Sequence, residues 1–273
     1  MTVLIVLLGL ALSHFIGPVR KLRDFRWLLW PLARQRAWLP ARPWLALVTV
    51  IGTVLVVSGL AVWLAESLLG LAGWSLLALG VLVYSLGPRD LDDDVATLSD
   101  RSAGADTAEV ADVARTMRLS LDEPAGASAA AVLHAALSRW FGVVFWFVVL
   151  GIPGALLYRL ARCALQLEGV DRGARDWLAR LRLVMDWPVT VLMGLSAGLC
   201  GDLDRTFRVW REHRDDGPAW LVTPRFLDHL GASLTTPVDD FDSGLRAGHR
   251  MAWRMLILWL VVLSLMLLAG WLV

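Results

Sequence analysis

Three groups of polar residues stand at the ends of apolar segments, and these are the groups able to do chemistry. Tyr158, Arg159 and Arg162 follow a break at Gly151-Ile152-Pro153-Gly154. Asp186-Trp187-Pro188 opens a second apolar run, which Asp202 and Asp204 close. Arg89-Asp90 follows a third. Polar side chains at membrane depth, or at the ends of broken helices, commonly mark ligand sites in membrane proteins. The plainer reading of each is structural. Arg159 and Arg162 would reach up to lipid phosphates, and Asp186 would cap a helix begun by Pro188 at its second position. Together they suggest a ligand-binding pocket.

The break itself argues for more than an anchor. Proline lacks a backbone donor and clashes with the preceding turn. Backbone groups freed inside a bilayer persist only where protein or trapped water satisfies them. Gly151, Pro153 and Gly154 therefore mark a built feature of segment 141–161.

Other chemistries are excluded. The net charge is +1, which provides no field for nucleic acid. The sequence has no Walker A, G-x-G-x-x-G, G-x-S-x-G or paired-cysteine motif. Cys163 and Cys200 have no ligand-spaced neighbour and read as buried, inert thiols. The five histidines, at 14, 134, 213, 229 and 249, are scattered, so no metal site or cofactor is expected. The triplet Asp92-Asp93-Asp94 reads as a solvated helix start rather than a metal site.

The elements that must position these residues belong to a membrane protein. Hydrophobic residues make up 57% of the chain and mean hydropathy is +0.60, against about 45–50% apolar content in soluble domains. Residues 44–65 form an uncharged run of 22, long enough for about 30 Å of hydrocarbon. Residues 67–87 form another, and the short link predicts a transmembrane hairpin. A final span is expected at 255–273. Residues 1–16 read as a retained N-terminal membrane helix, since no basic n-region or small-residue cleavage site is present. Segment 187–201 is short for a span and is expected to be re-entrant, with Gly194-x-x-x-Gly198 permitting a close helix contact. Segment 88–140 predicts three short helices, with Asp90 and Asp106 as N-caps. Their apolar stripes are Leu91/Val95/Leu98, then Val110/Val113/Ala114/Met117, then Val132/Leu133/Ala136/Leu137/Trp140. Arg205, Arg208, Arg211 and Arg214, with Phe207 and Trp210 between them, suggest an interfacial helix.

The fold expected is all-α: a polytopic integral membrane protein with a transmembrane hairpin, broken or re-entrant helices and a small cytoplasmic helical insertion at 88–140. The arginines of 17–43 place that segment, 88–140 and 205–250 in the cytoplasm. The lipid bilayer is the one partner this reading requires.

Three sequence blocks resemble the AmpE family. They are Gly87-Pro88-Arg89-Asp90-Leu91, Phe145-Trp146-Phe147 with Leu150-Gly151-Ile152-Pro153-Gly154-Ala155-Leu156-Leu157-Tyr158-Arg159, and Asp186-Trp187-Pro188 with Gly201. The likeness runs in order through residues 1–273, as a single membrane domain. AmpE proteins are bacterial inner-membrane proteins associated with regulation of β-lactamase induction, and that family resembles the CobD/CbiB synthases of cobalamin assembly. The resemblance implies a regulatory, ligand-sensing protein tied to cell-wall status in the inner (plasma) membrane, its ligand cell-wall-derived or phosphate-bearing. Its alternative is a synthase that joins an amino alcohol phosphate to a corrinoid acid. Relatives carry Asp-Trp-(apolar)-Pro-x-Arg where this chain has Asp186-Trp187-Pro188-Val189-Thr190. They carry Asn-Thr-Leu-Asp after Tyr-Arg, where this chain has Leu160-Ala161-Arg162-Cys163. These losses remove charge stabilisers and a proton acceptor, so a non-catalytic role is expected.

Overall fold

The computed structural model describes Ile5, Val6, Leu8, Gly9 and residues 29–34, 41–86, 90–100, 106–167, 169–215 and 223–270. All regular elements among them are helical. They are α1 (Trp30–Arg34), α2 (Leu45–Ser85), α3 (Leu91–Ser99), α4 (Thr107–Met117), α5 (Ala125–Ala136), a π turn (Leu137–Phe141), α6 (Gly142–Leu150), α7 (Ile152–Ala164), α8 (Arg172–Cys200), α9 (Leu203–Asp215), α10 (Phe226–Ser233) and α11 (Phe241–Leu268). Among the described residues, four stretches are long and apolar enough to cross a membrane: Leu45–Ser85, Ala125–Leu150, Arg172–Cys200 and Phe241–Leu268. Large apolar side chains along α2, among them Leu55, Val56, Leu60, Leu68 and Leu71, are exposed. Water would not tolerate so continuous a patch, whereas lipid favours it. The chain is a polytopic helical membrane protein.

The chain divides into two compact units. The first comprises Met1–Pro88, Gly142–Met185 and Met266–Val273, and the second Arg89–Phe141 and Asp186–Leu265. Of the expected N-terminal helix 1–16, Ile5, Val6, Leu8 and Gly9 are helical; the rest, and Gly87, Pro88 and Arg89, lie outside the described residues.

The first unit is built on two glycine corners of the same construction. Gly70 interrupts α2 at φ 57°, ψ −138°, and Gly151 separates α6 from α7 at φ 68°, ψ −147°. Few residues other than glycine adopt this region. Three residues on, a Cβ on Gly73 would strike the carbonyl of Ala65, and one on Gly154 the carbonyl of Trp146. Eight residues of straight helix advance about 12 Å, so such contacts require the chain to turn back. The motif is Leu69-Gly70-Leu71-Ala72-Gly73 in one corner and Leu150-Gly151-Ile152-Pro153-Gly154 in the other. The predicted hairpin is present. Its turn lies at Gly70, because Glu66 is exposed and stays helical rather than ending the first arm. Helix α7 packs against both α2 and α6.

The second unit is centred on α5. Its expected stripes are buried, as are those of α3 and α4. Asp90 and Asp106 cap α3 and α4, accepting from the amides of Asp92 and Ala108. Helix α5 opens the long apolar stretch Ala125–Leu150. Its small face takes α10 and α11 at close range: Gly231 meets Ala130, Gly244 meets Ala125, and Gly248 meets Ala129. Ser128 Oγ donates to the Phe241 carbonyl at 2.9 Å. The close helix contact therefore belongs to Gly244-x-x-x-Gly248. Gly194 instead lies under the rings of Phe226 and Trp210, and Gly198 under Leu203. Replacing Gly244 by Val should force α11 off α5 and lower stability by about 1–3 kcal/mol. Gly80→Val, where nothing lies within 4 Å, is the control for thermal unfolding in lipid nanodiscs.

Residues 187–200 are the C-terminal half of the 29-residue helix α8, with Pro188 inside the helix rather than at its start. Asp186 is therefore not an N-cap: it is fully buried in mid-helix, and its carbonyl accepts from Thr190 Oγ1 at 2.9 Å.

Candidate functional site

The polar centre of the second unit forms where α3, the π turn and α11 meet. Arg139 lies in the π turn. Such one-turn insertions re-aim side chains and often mark functional sites. The Arg139 Nη1 stands 2.7 Å from Asp94 Oδ2 and donates to the Asp90 carbonyl at 3.4 Å. The Asp94 side chain is 0% exposed and that of Arg139 7% exposed, so this is a buried ion pair. Two residues earlier on α3, Asp92 Oδ1 meets His249 Nε2 at 2.5 Å. Trp253 Nε1 donates to the same oxygen at 2.9 Å. Trp253 also packs edge-on against Trp140 of the π turn, at 5.4 Å between ring centroids.

The expectation of a solvated acidic triplet is corrected. Asp93 is exposed, but Asp94 is buried against Arg139 and Asp92 is held by His249 and Trp253. The spacing explains this. Residues two apart on α3 lie on different faces, so Asp92 turns to α11 and Asp94 to the π turn. His249 Nε2 also lies 3.1 Å from Trp253 Nε1, so carboxylate, imidazole and indole form one polar group. No hydrogen bond joins Nδ1 to another described residue. The side chains of His249 and Asp92 remain 26% and 20% exposed, so the pair can be reached from outside. This arrangement can offer hydrogen bonds to a polar ligand and hold it beside two indoles.

The sequence-predicted residues divide between the units. Tyr158, Arg159 and Arg162 are in the first. Tyr158 is buried, its ring against Gly142, and the guanidinium of Arg162 lies over that ring at 5.2 Å. Arg162 therefore covers the phenol through its cation face. Asp90, Asp186 and Trp187 are in the second unit. Asp90 joins the polar centre through its carbonyl, Asp186 is buried, and Trp187 is 39% exposed. Arg89 lies outside the described residues. Sequence reasoning missed Asp92, Asp94, Arg139, His249 and Trp253 as a group. A weak signal was present: Arg139 sits within an apolar stripe that otherwise spans Val132 to Trp140.

No His, Cys, Asp and Glu cluster suited to a metal occurs among the described residues. The two cysteines are half-buried rather than fully buried. The shallow depression lined by Ile257, Leu260, Val261, Ser264 and Leu265 is almost wholly apolar and suits a lipid chain better than a polar ligand.

No protein-family model matches the chain, and no solved structure matches it. Over 173 residues it is 32% identical to the cobalamin biosynthesis protein CobD of Stutzerimonas stutzeri strain A1501. The chain is a distant relative of CobD. The match takes in 59% of this chain and 55% of CobD, so the chain spans about half the length of that relative. The AmpE likeness rests on the sequence blocks quoted above and not on these comparisons.

Proposed function

We propose that this CobD-related membrane protein holds a polar ligand at the Asp92–His249–Trp253 face of its second unit and acts in regulation rather than turnover. The role is the one that the AmpE resemblance implies, a modulator of β-lactamase induction in the inner membrane. One observation supports ligand holding above all. A carboxylate, an imidazole and two indoles meet at a partly exposed edge, backed by a buried ion pair that fixes the π turn. The sequence departures from the synthases support the regulatory half.

A second reading, a CobD-type synthase, is favoured by the identity to CobD. The Asp92–His249 pair adds the proton acceptor that the sequence alone lacked, since an amine forming an amide bond must shed a proton. The two readings separate in one pair of assays. A strain deleted for the gene should show altered β-lactamase induction by a wall-active drug, restored by the intact gene. The same gene should fail to restore corrinoid-dependent growth to a strain lacking its cobalamin synthase. Growth rescue that His249→Ala abolishes would establish the synthase and overturn the regulatory reading.

A further inference from the structure

Helix α9 has two faces. Thr206, Val209 and His213 are buried, and Trp210 packs on Phe226 at 5.4 Å between centroids. On the other side Leu203 and Phe207 are about half exposed. They are four residues apart and so adjacent on the helix. Arg208 and Arg211 are exposed beside them, as are Asp204 and Glu212, and Arg205 donates to the Ser233 carbonyl at 2.9 Å. Two large apolar side chains flanked by guanidinium groups, on the outer side of a helix docked along its inner side, need an amphipathic surface to cover them.

What covers them is indicated by the element before. On α8, Leu192, Leu195 and Leu199 form an exposed stripe within a run that carries no charge from Trp187 to Gly201. That stripe faces hydrocarbon. Only Gly201 and Asp202 separate α8 from α9. Three residue steps reach about 10 Å at most. The headgroup layer adds roughly 5–7 Å on each side of the hydrocarbon. The start of α9 thus falls at the membrane boundary, at the point where charge reappears in the sequence.

We infer that α9 lies in the headgroup layer of the bilayer, with Leu203 and Phe207 at the acyl boundary and Arg208 and Arg211 on lipid phosphates. The apolar pair sets the depth, and the arginines hold the helix there. The helix thereby fixes the end of α8 at Gly201–Asp202.

The test uses the full chain with Cys163→Ser and Cys200→Ser, reconstituted in phosphatidylcholine–phosphatidylglycerol vesicles. An environment-sensitive fluorophore is attached through Phe207→Cys or, as a water-exposed reference, through Val238→Cys, a position 94% exposed. The label at 207 should be quenched by aqueous iodide about threefold less than the label at 238, as an interfacial position requires. Adding Arg208→Gln and Arg211→Gln should raise its quenching toward the reference. Equal quenching at 207 and 238 would overturn the inference. So would shielding at 207 that the arginine substitutions leave unchanged. Near-ultraviolet circular dichroism of each labelled protein confirms that α9 is still docked through Trp210.

Discussion

Replacing Asp94 by Ala should destabilise the second unit by about 3–5 kcal/mol, because it leaves the Arg139 guanidinium buried without its carboxylate. Arg139→Ala should cost a similar amount for the converse reason. Asp94 is 0% exposed and the pair separation is 2.7 Å, so solvent cannot replace either partner. The double substitution Asp94→Leu with Arg139→Leu should recover most of that loss, since an apolar pair of similar volume is often as stable as the ions. Unfolding of the single and double variants in nanodiscs checks this. A loss under about 1 kcal/mol in Asp94→Ala would show that the pair is hydrated and that the π turn is held by packing alone.

The second large effect lies at the Gly151 corner. Gly151→Ala forces an L side chain into a conformation costing about 1–3 kcal/mol. Gly154→Ala drives a Cβ into the Trp146 carbonyl and against Leu150, with overpacking of similar size. Pro153→Ala should change stability by no more than about 0.5 kcal/mol. Sequence reasoning assigns the break to Pro153 as much as to the glycines. The structure separates them. Pro153 is the second residue of α7, where the missing N–H has no intrahelical partner to lose. Gly70→Ala should resemble Gly151→Ala, the two corners sharing one geometry. A ranking in which Pro153→Ala is the most damaging of the set would reject this account of the corner.

Much of the fold is local and therefore legible in the sequence. The caps at Asp90 and Asp106, the stripes on α3 to α5 and the hairpin of α2 each depend on neighbours within a few turns. The site does not. His249 lies 157 residues from Asp92, and no local pattern links them. An acid triplet at a helix start looks solvated, because the dipole and cap explain it fully. Only tertiary packing shows that two of the three carboxylates turn inward. Asp186-Trp187-Pro188 misleads for a related reason. Asp followed by Pro two residues later reads as a helix entrance, yet α8 runs through it. The residue freed by Pro188 is Val184, and its exposed position lets the chain absorb the defect on an outer face.

The central claim is that the Asp92–His249 pair holds a ligand rather than the fold. The measurement that tests it most directly is β-lactamase induction in a strain whose only copy carries Asp92→Asn and His249→Gln. These near-isosteric changes keep a hydrogen bond between the two side chains and leave Asp94 and Arg139 untouched. The account predicts a variant that inserts, unfolds within about 1 kcal/mol of the native protein, and behaves in induction like the deletion strain. Native induction by that stably inserted variant would contradict it.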